Sequence, residues 1–358
     1  MAIYWSWAWG DETLTQLTNE MDWSANTSDT SRIAPRTDRT YGYPGSPTRY
    51  GLGTTNSRHV ETPPGTWLQK GAVAVSVFAT SDWKHDYNDA PIIASLGDKN
   101  GIYLFVTSPA SAGEIRLTFD NNSATFSDHI VSGSWPADEW HYIVLKYDHS
   151  LPSPTAEVWI NGALQCQATA SWTDAISTTG VYRTGGFSND SSLPAGVIGQ
   201  IIVYDTGSQI AGNFYDPVYC TRVEPTVDIG TSKFQPSTGS HNFAVLDSPF
   251  DSSIFTSNTS SVAGDSVICE ASGALGWYSQ LGTTPTIING LTVHAFASGS
   301  GQNGFSAVSN DNSTYLTGTH FTPDISDPTY GWVTAAAEPS SGLAWNTASL
   351  LYVKYEVS

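Results

Sequence analysis

Trp135-Pro136-Ala137-Asp138-Glu139-Trp140-His141-Tyr142-Ile143-Val144-Leu145-Lys146-Tyr147-Asp148, followed after a short break by Ala156-Glu157-Val158-Trp159-Ile160-Asn161-Gly162-Ala163-Leu164, is the stretch on which the fold turns. A polar turn opens it. The alternating aromatic and aliphatic run that follows has the period of two expected of a β-strand. The second piece is a shorter strand that ends in Asn161-Gly162, with a hydrophobic residue after it. Both Asn and Gly tolerate positive φ, so this pair predicts a tight hairpin turn.

Outward from this hairpin the same alternation recurs. Ala72–Ala79 is β-branched and alternating, Ile92–Asp98 leads into a turn at Lys99-Asn100-Gly101, and Ile102–Val106 and Glu114–Phe119 follow. Val197–Asp205 reads as a closing strand. No helical period interrupts the series, which argues for an antiparallel sandwich. With Tyr50-Gly51-Leu52-Gly53 and His59–Pro63 as early strands, the order and look of these segments resemble the concanavalin A-like, laminin-G-type jelly roll. The resemblance covers about the first 220 residues.

Residues 216–225 carry two prolines and no alternation and read as a linker. Beyond it the composition shifts to Ser, Thr, Gly and Asn, with short strands at Val267–Glu270, Thr292–Ala297 and Ser349–Val357. The expected organisation is therefore all-β: a concanavalin-like sandwich over residues 1–222 and a second, smaller β-sandwich over 223–358. The C-terminal run from Asp327-Pro328 through Trp345-Asn346-Thr347 to the last strand resembles the C-terminal β-domains of tailed-phage virion proteins, although Asn346 interrupts their Trp-Thr pairing.

The composition narrows the function. Of 358 residues 39% are hydrophobic, enough for a substantial core, and only 13% are charged, so Ser, Thr, Asn and Gly supply the polar surface. A net charge of -19 repels nucleic acid and anionic membranes, and no stretch is long and apolar enough to insert as a helix. The N-terminus lacks the basic and apolar regions of a secretory signal. Asn-x-Ser/Thr triplets at Asn26, Asn121, Asn189, Asn258 and Asn312 are expected by chance in so Ser- and Thr-rich a chain. Cys166, Cys220 and Cys269 show no metal spacing; they read as reduced thiols, with a Cys166–Cys220 disulfide as the alternative.

Candidate chemistry is sparse. Glu20-Met21-Asp22 begins a glucanase-type carboxylate strand, but no further Glu follows, and Glu139 and Glu157 stand alone. No nucleophile elbow is present, and His85, His129, His141, His149, His294 and His320 read as surface or half-buried residues. Calcium is considered because laminin-G-type domains often hold one; Asp98–Gly101, Asp120–Asn122 and Asn310–Asn312 are oxygen-rich turns, which equally cap their own backbone. Arg32, Arg36, Arg39, Arg49 and Arg58 form a loosely basic stretch that reads as scattered loop charges.

Trp5, Trp7 and Trp9 share one face of an extended strand. They serve either as core or as a contact for a partner or a glycan. The expectation is a non-enzymatic virion structural protein of a tailed phage, without cofactor, assembled in the host cytoplasm. It would be exposed on the particle as a tail or fibre component or capsid decoration, with a glycan-adhesive role in view. Its partners would be other virion proteins and host glycans, and it would form a homo-oligomer, with a trimer suggested by the resemblance. The alternative is a bacterial lectin or carbohydrate-binding module.

Overall fold

The computed structural model describes residues 2–8, 33–40, 50–54, 59–62, 65–79, 92–106, 115–121, 126–131, 139–172, 177–185, 196–206, 215, 218–220, 225–230, 232, 234–237, 239–240, 256–257, 266–271, 277–279, 290–297, 303–318, 320, 329–343, 345 and 351–357. Every regular element among them is a strand, so the protein is all-β as expected. In chain order these are β1 (Ala2–Ala8), β2 (Ile33–Thr40), β3 (Tyr50–Thr54), β4 (His59–Glu61), β5 (Lys70–Ala79), β6 (Ile93–Gly97) and β7 (Gly101–Val106). Next come β8 (Ile115–Asp120), β9 (Phe126–Val131), β10 (Glu139–Asp148), β11 (Thr155–Ile160), β12 (Ala163–Thr169), β13 (Gly180–Gly185) and β14 (Gly196–Asp205). After them run β15 (Val218–Cys220), β16 (Pro225–Asp228), β17 (Gln235–Pro236), β18 (Thr256–Ser257), β19 (Ser266–Ala271) and β20 (Trp277–Ser279). The last are β21 (Leu291–Ala297), β22 (Gly304–Ser309), β23 (Leu316–Thr317), β24 (Thr329–Ala335) and β25 (Leu351–Val357). The chain divides into two compact units, the first holding β1–β14 and the second β16–β19 and β21–β25. The segment read as a linker contains β15, and β16 begins on Pro225, a position where a strand tolerates proline.

The first unit is a two-sheet sandwich. One sheet has eight strands in the order β12-β11-β10-β5-β14-β3-β2, with β1 also paired to β14; the other runs β4-β13-β6-β7-β8-β9. Register defines the faces. One transverse row of the eight-stranded sheet reads Cys166, Val158, Leu145, Val73, Val203, Trp5, and the next reads Ala163, Ile160, Ile143, Val75, Ile201, Trp7. Tyr147 lies on the same face as Leu145 and bonds Tyr182 of the opposite sheet, so this face points inward. Opposite it stand Ile93, Ile102, Leu104, Leu117 and Phe119, all without solvent exposure. Each such aliphatic or aromatic side chain contributes about 1.5–3 kcal/mol on burial.

The second unit centres on a five-stranded sheet, β16-β19-β25-β22-β23, and contains the paired strands β21 and β24. Phe234 and Val357 pack with Val353 and Tyr355 on one side of the sheet. On the other, Lys354 bonds Glu356 at 2.7 Å, and its ammonium lies 4.5 Å from the centroid of the Tyr315 ring.

The hairpin that decides the fold forms as its sequence dictates. Asn161 and Gly162 take φ of 49° and 85°, the two positive values of a two-residue turn. Asn161 does more than turn the chain. Its backbone N–H donates to Tyr142 O at 2.8 Å, and its side-chain Oδ1 accepts from Tyr142 N at 2.8 Å. Asn161 thus extends the β10–β11 ladder beyond its last residue pair, Ile143–Ile160. Replacing Asn161 by Ala strands the Tyr142 amide and strains the turn, and should lower unfolding free energy by about 1–2 kcal/mol. Asn161→Asp, which keeps an acceptor, should lose less; urea titrations of the two variants measure the difference.

Candidate functional site

In the six-stranded sheet Ser95 and Tyr182 point into the sandwich. Alternation therefore sends their neighbours Ala94 and Arg183 out. The outward row reads Arg183, Ala94, Tyr103, Thr118, one residue from each of four adjacent strands. The adjoining row contains Val181, Leu96, Gly101 and Asp120. Ala94 and Thr118 are buried at the floor, while Arg183, Tyr103 and Asp120 are half-buried around them. The Tyr103 ring lies back over Gly101: a Cβ there would come within 2.5 Å of Tyr103 Cε2. Only glycine lets the ring lie down on the sheet. Burial pushes the Tyr103 phenol above its ordinary range, the Asp120 carboxylate adds to the rise and the Arg183 guanidinium opposes it. The ring thus lies between a negative and a positive group.

This arrangement suits a sugar. The apolar C–H face of a pyranose covers an aromatic ring, and its hydroxyls accept from a guanidinium and donate to a carboxylate. Arg116 follows in the next row, between Phe105 and Ile130. The sequence reading noted Asp120 only as part of an oxygen-rich turn and missed Tyr103, Arg183 and Arg116; no local motif marks them.

Trp5 and Trp7 are elsewhere. Trp5 has no solvent exposure and Trp7 only 6%, and both point between the sheets. They are core, so neither presents a face to a partner or glycan; Trp9 lies outside the described residues. On the outer side of the eight-stranded sheet Trp159 stacks on Tyr215 at 3.8 Å and donates to Glu157, which also pairs with Lys146 at 2.8 Å.

The interior holds a constellation with the atom order of a catalytic triad. His149 follows β10 and is wholly buried, not half-exposed as its sequence context suggests. Its Nδ1–H donates to Asn100 Oδ1 at 2.8 Å, and Ser95 Oγ–H donates to its Nε2 at 3.0 Å. Trp67 Nε1 donates to Ser95 Oγ, and Ser177 Oγ donates to Asn100 Oδ1. The rings of Trp67, Tyr147 and Trp172 pack around the imidazole at 5.2–5.4 Å between centroids. Ser95 has no solvent exposure, so its hydroxyl meets no substrate. The geometry is that of a structural tie between sheets.

Glu139 and Lys146 are seven residues apart on β10, and Glu157 is opposite Lys146. At 3.3 Å per residue the two carboxylates stand roughly 23 Å apart along the strand, against the ~5–9.5 Å of glycosidase pairs. Glu20 and Asp22 lie outside the described residues. Two of the oxygen-rich turns bond backbone amides: Asp98 accepts from the distant Thr178 N, and Asp311 from Ser313 N and Thr314 N of its own turn, which holds both carboxyls below their usual range. Among the described residues no three His, Cys, Asp or Glu side chains gather as metal ligands. Cys166 is a free thiol, so the Cys166–Cys220 disulfide does not form.

Residues 54–207 match the sequence model of the concanavalin A-like lectin/glucanases superfamily. No curated protein matches the sequence. Among solved structures the chain is similar to domain 4 of AbnA, a GH43 extracellular arabinanase from Geobacillus stearothermophilus, in complex with arabinotriose. The identity is 14% and the TM-score 0.36, over 57% of this chain and 92% of that one. It is similar to the Caenorhabditis elegans galectin LEC-6, at 8% identity and TM-score 0.29, over 41% and 90% of the two chains. The Ruminococcus gnavus IT-sialidase CBM40 bound to α2,3-sialyllactose gives 16% identity and TM-score 0.27, over 38% and 76%. Likenesses of this size carry no argument about ligand.

Burial holds the His149 pKa down at about 3, although the nearby Asp148 charge pulls it up. Between that value and the unfolded range near 6.5, the unfolded chain binds a proton that the folded chain does not. This contribution to stability is whole above about pH 6.5 and is lost as pH falls towards 3, by up to about 1.4 kcal/mol per pH unit. Urea titrations at pH 7 and pH 5 should show a smaller loss in His149→Gln than in the wild type. Equal losses would mean that His149 charges freely in the fold.

Proposed function

We propose that this protein is a non-enzymatic adhesion protein whose first unit holds an oligosaccharide on the outer face of the six-stranded sheet. The observation that carries this reading is the cross-strand row in which the Tyr103 ring lies flat on Gly101 between Asp120 and Arg183. The match of residues 54–207 to a lectin and glucanase superfamily supports it, and so does the wide separation of Glu139 and Glu157. Fold alone does not assign a ligand, so the argument rests on these side chains.

In the cell the reading places the chain on a tailed-phage particle, as a surface-exposed structural component that touches host glycans. The support is the C-terminal run through Asp327-Pro328 and Trp345-Asn346-Thr347 together with an acidic, charge-poor composition. A lectin of bacterial origin would use the same row.

A glycan array with the full chain tests the site. Tyr103→Ala and Arg183→Ala should each reduce retention of the bound oligosaccharide roughly tenfold or more, the loss expected when an aromatic platform or a charge-assisted bond is removed. Melting temperatures should stay close to the wild type, and mass spectrometry of the eluted glycan should find it uncut. Binding unaffected by either substitution would remove the site, and a shortened glycan would remove the non-enzymatic reading. Proteomics of purified particles tests the virion assignment separately.

A further inference from the structure

Strand β12 is the outermost strand of the eight-stranded sheet, and β11 is its ladder partner. It reads Ala163-Leu164-Gln165-Cys166-Gln167-Ala168-Thr169, with no charge and no proline. Sheets normally protect an edge of this length with lysine, proline, a bulge or a covering segment. Among the described residues a single bulge, where pairing passes from Trp159 to Val158, is the protection this edge carries. Ala163, Leu164, Gln167 and Thr169 are exposed, and Leu164 leaves 46% of its surface in water.

The surroundings of the strand indicate its occupant. No charged residue occurs from Val158 to Thr173, in a chain that carries a net charge of -19. Two copies of so acidic a chain repel one another. This neutral edge is a place where they can meet without opposing carboxylates. The strand is also close to its own mirror image: Gln165 and Gln167 flank Cys166, and Leu164 and Ala168 flank those. Antiparallel pairing about a two-fold axis therefore sets amide against amide and aliphatic against aliphatic, the self-complementarity that a symmetric dimer requires.

We propose that the protein dimerises by antiparallel pairing of two β12 strands about a two-fold axis near Cys166, joining two eight-stranded sheets into one. The interface is distinct from the tryptophan strand, whose indoles are spent in the core. Opposed or diagonal residues of such a pair lie about 4.5–8 Å apart, which brings the two Cys166 thiols within reach of a short bismaleimide.

Sedimentation velocity on the full chain should show a dimer at micromolar concentration. Leu164→Lys places a charge on the edge and should weaken the dimer roughly tenfold or more. Thr169→Lys, at a second exposed position, gives the same reading should Leu164→Lys fail to fold. The bismaleimide should give a covalent dimer that persists in Cys220→Ser and Cys269→Ser and disappears in Cys166→Ser. A monomer at tens of micromolar, a trimer, or a dimer indifferent to both lysines would each overturn the proposal.

Discussion

The sandwich depends on a small set of hydrogen bonds made where water is absent. Tyr147 and Tyr182 bond across the gap between the sheets, Leu68 receives from the first and donates to the second, and His149 joins Ser95 to Asn100. Each of these groups would cost about 1–3 kcal/mol if buried unpaired. Two sheets sliding past one another would leave several of them orphaned at once. Aliphatic packing tolerates many relative placements, whereas this network tolerates one.

That constraint reaches the outer surface. Ser95 and Tyr182 are register partners on β6 and β13, and each is held inward by bonds of its hydroxyl to the network. Because alternation has a period of two, a slip of one residue would push Arg183 into the core and turn Tyr182 to solvent. The outward row of Arg183, Ala94, Tyr103 and Thr118 is thus fixed from behind. A flat face on a twisted sheet acquires defined side-chain spacing because its reverse side has no freedom to shift.

How much of this could be read from the chain depends on sequence separation. The hairpin was legible because Asn161-Gly162 and the strands beside it are adjacent. Trp5 and Trp7 share one face of β1 as alternation requires, but alternation does not say which face meets the core; pairing with β14 decides that. The network was not legible, since His149 finds Ser95 54 residues away and Asn100 49 residues away. The outward row hid for a related reason. Each strand displays its own alternation, yet the register between neighbouring strands is written nowhere locally. The acidic turns, read with calcium in mind, divide the same way: Asp311 is occupied by the amide of Ser313 two residues on, which its own turn predicts, whereas Asp98 accepts from Thr178, 80 residues away.

The hydrogen bond between Asn161 and Tyr142 also bears on how the molecule ages. Asn-Gly sequences are chemically fragile, because the glycine amide nitrogen can attack the side-chain carbonyl and close a succinimide ring. Ring closure needs the carboxamide turned back towards Gly162. Here its oxygen is turned the other way and held by the Tyr142 amide. The turn that organises the first unit is therefore shielded from its own inherent chemistry. The lifetime of the covalent chain at this point is set by how often one hydrogen bond opens.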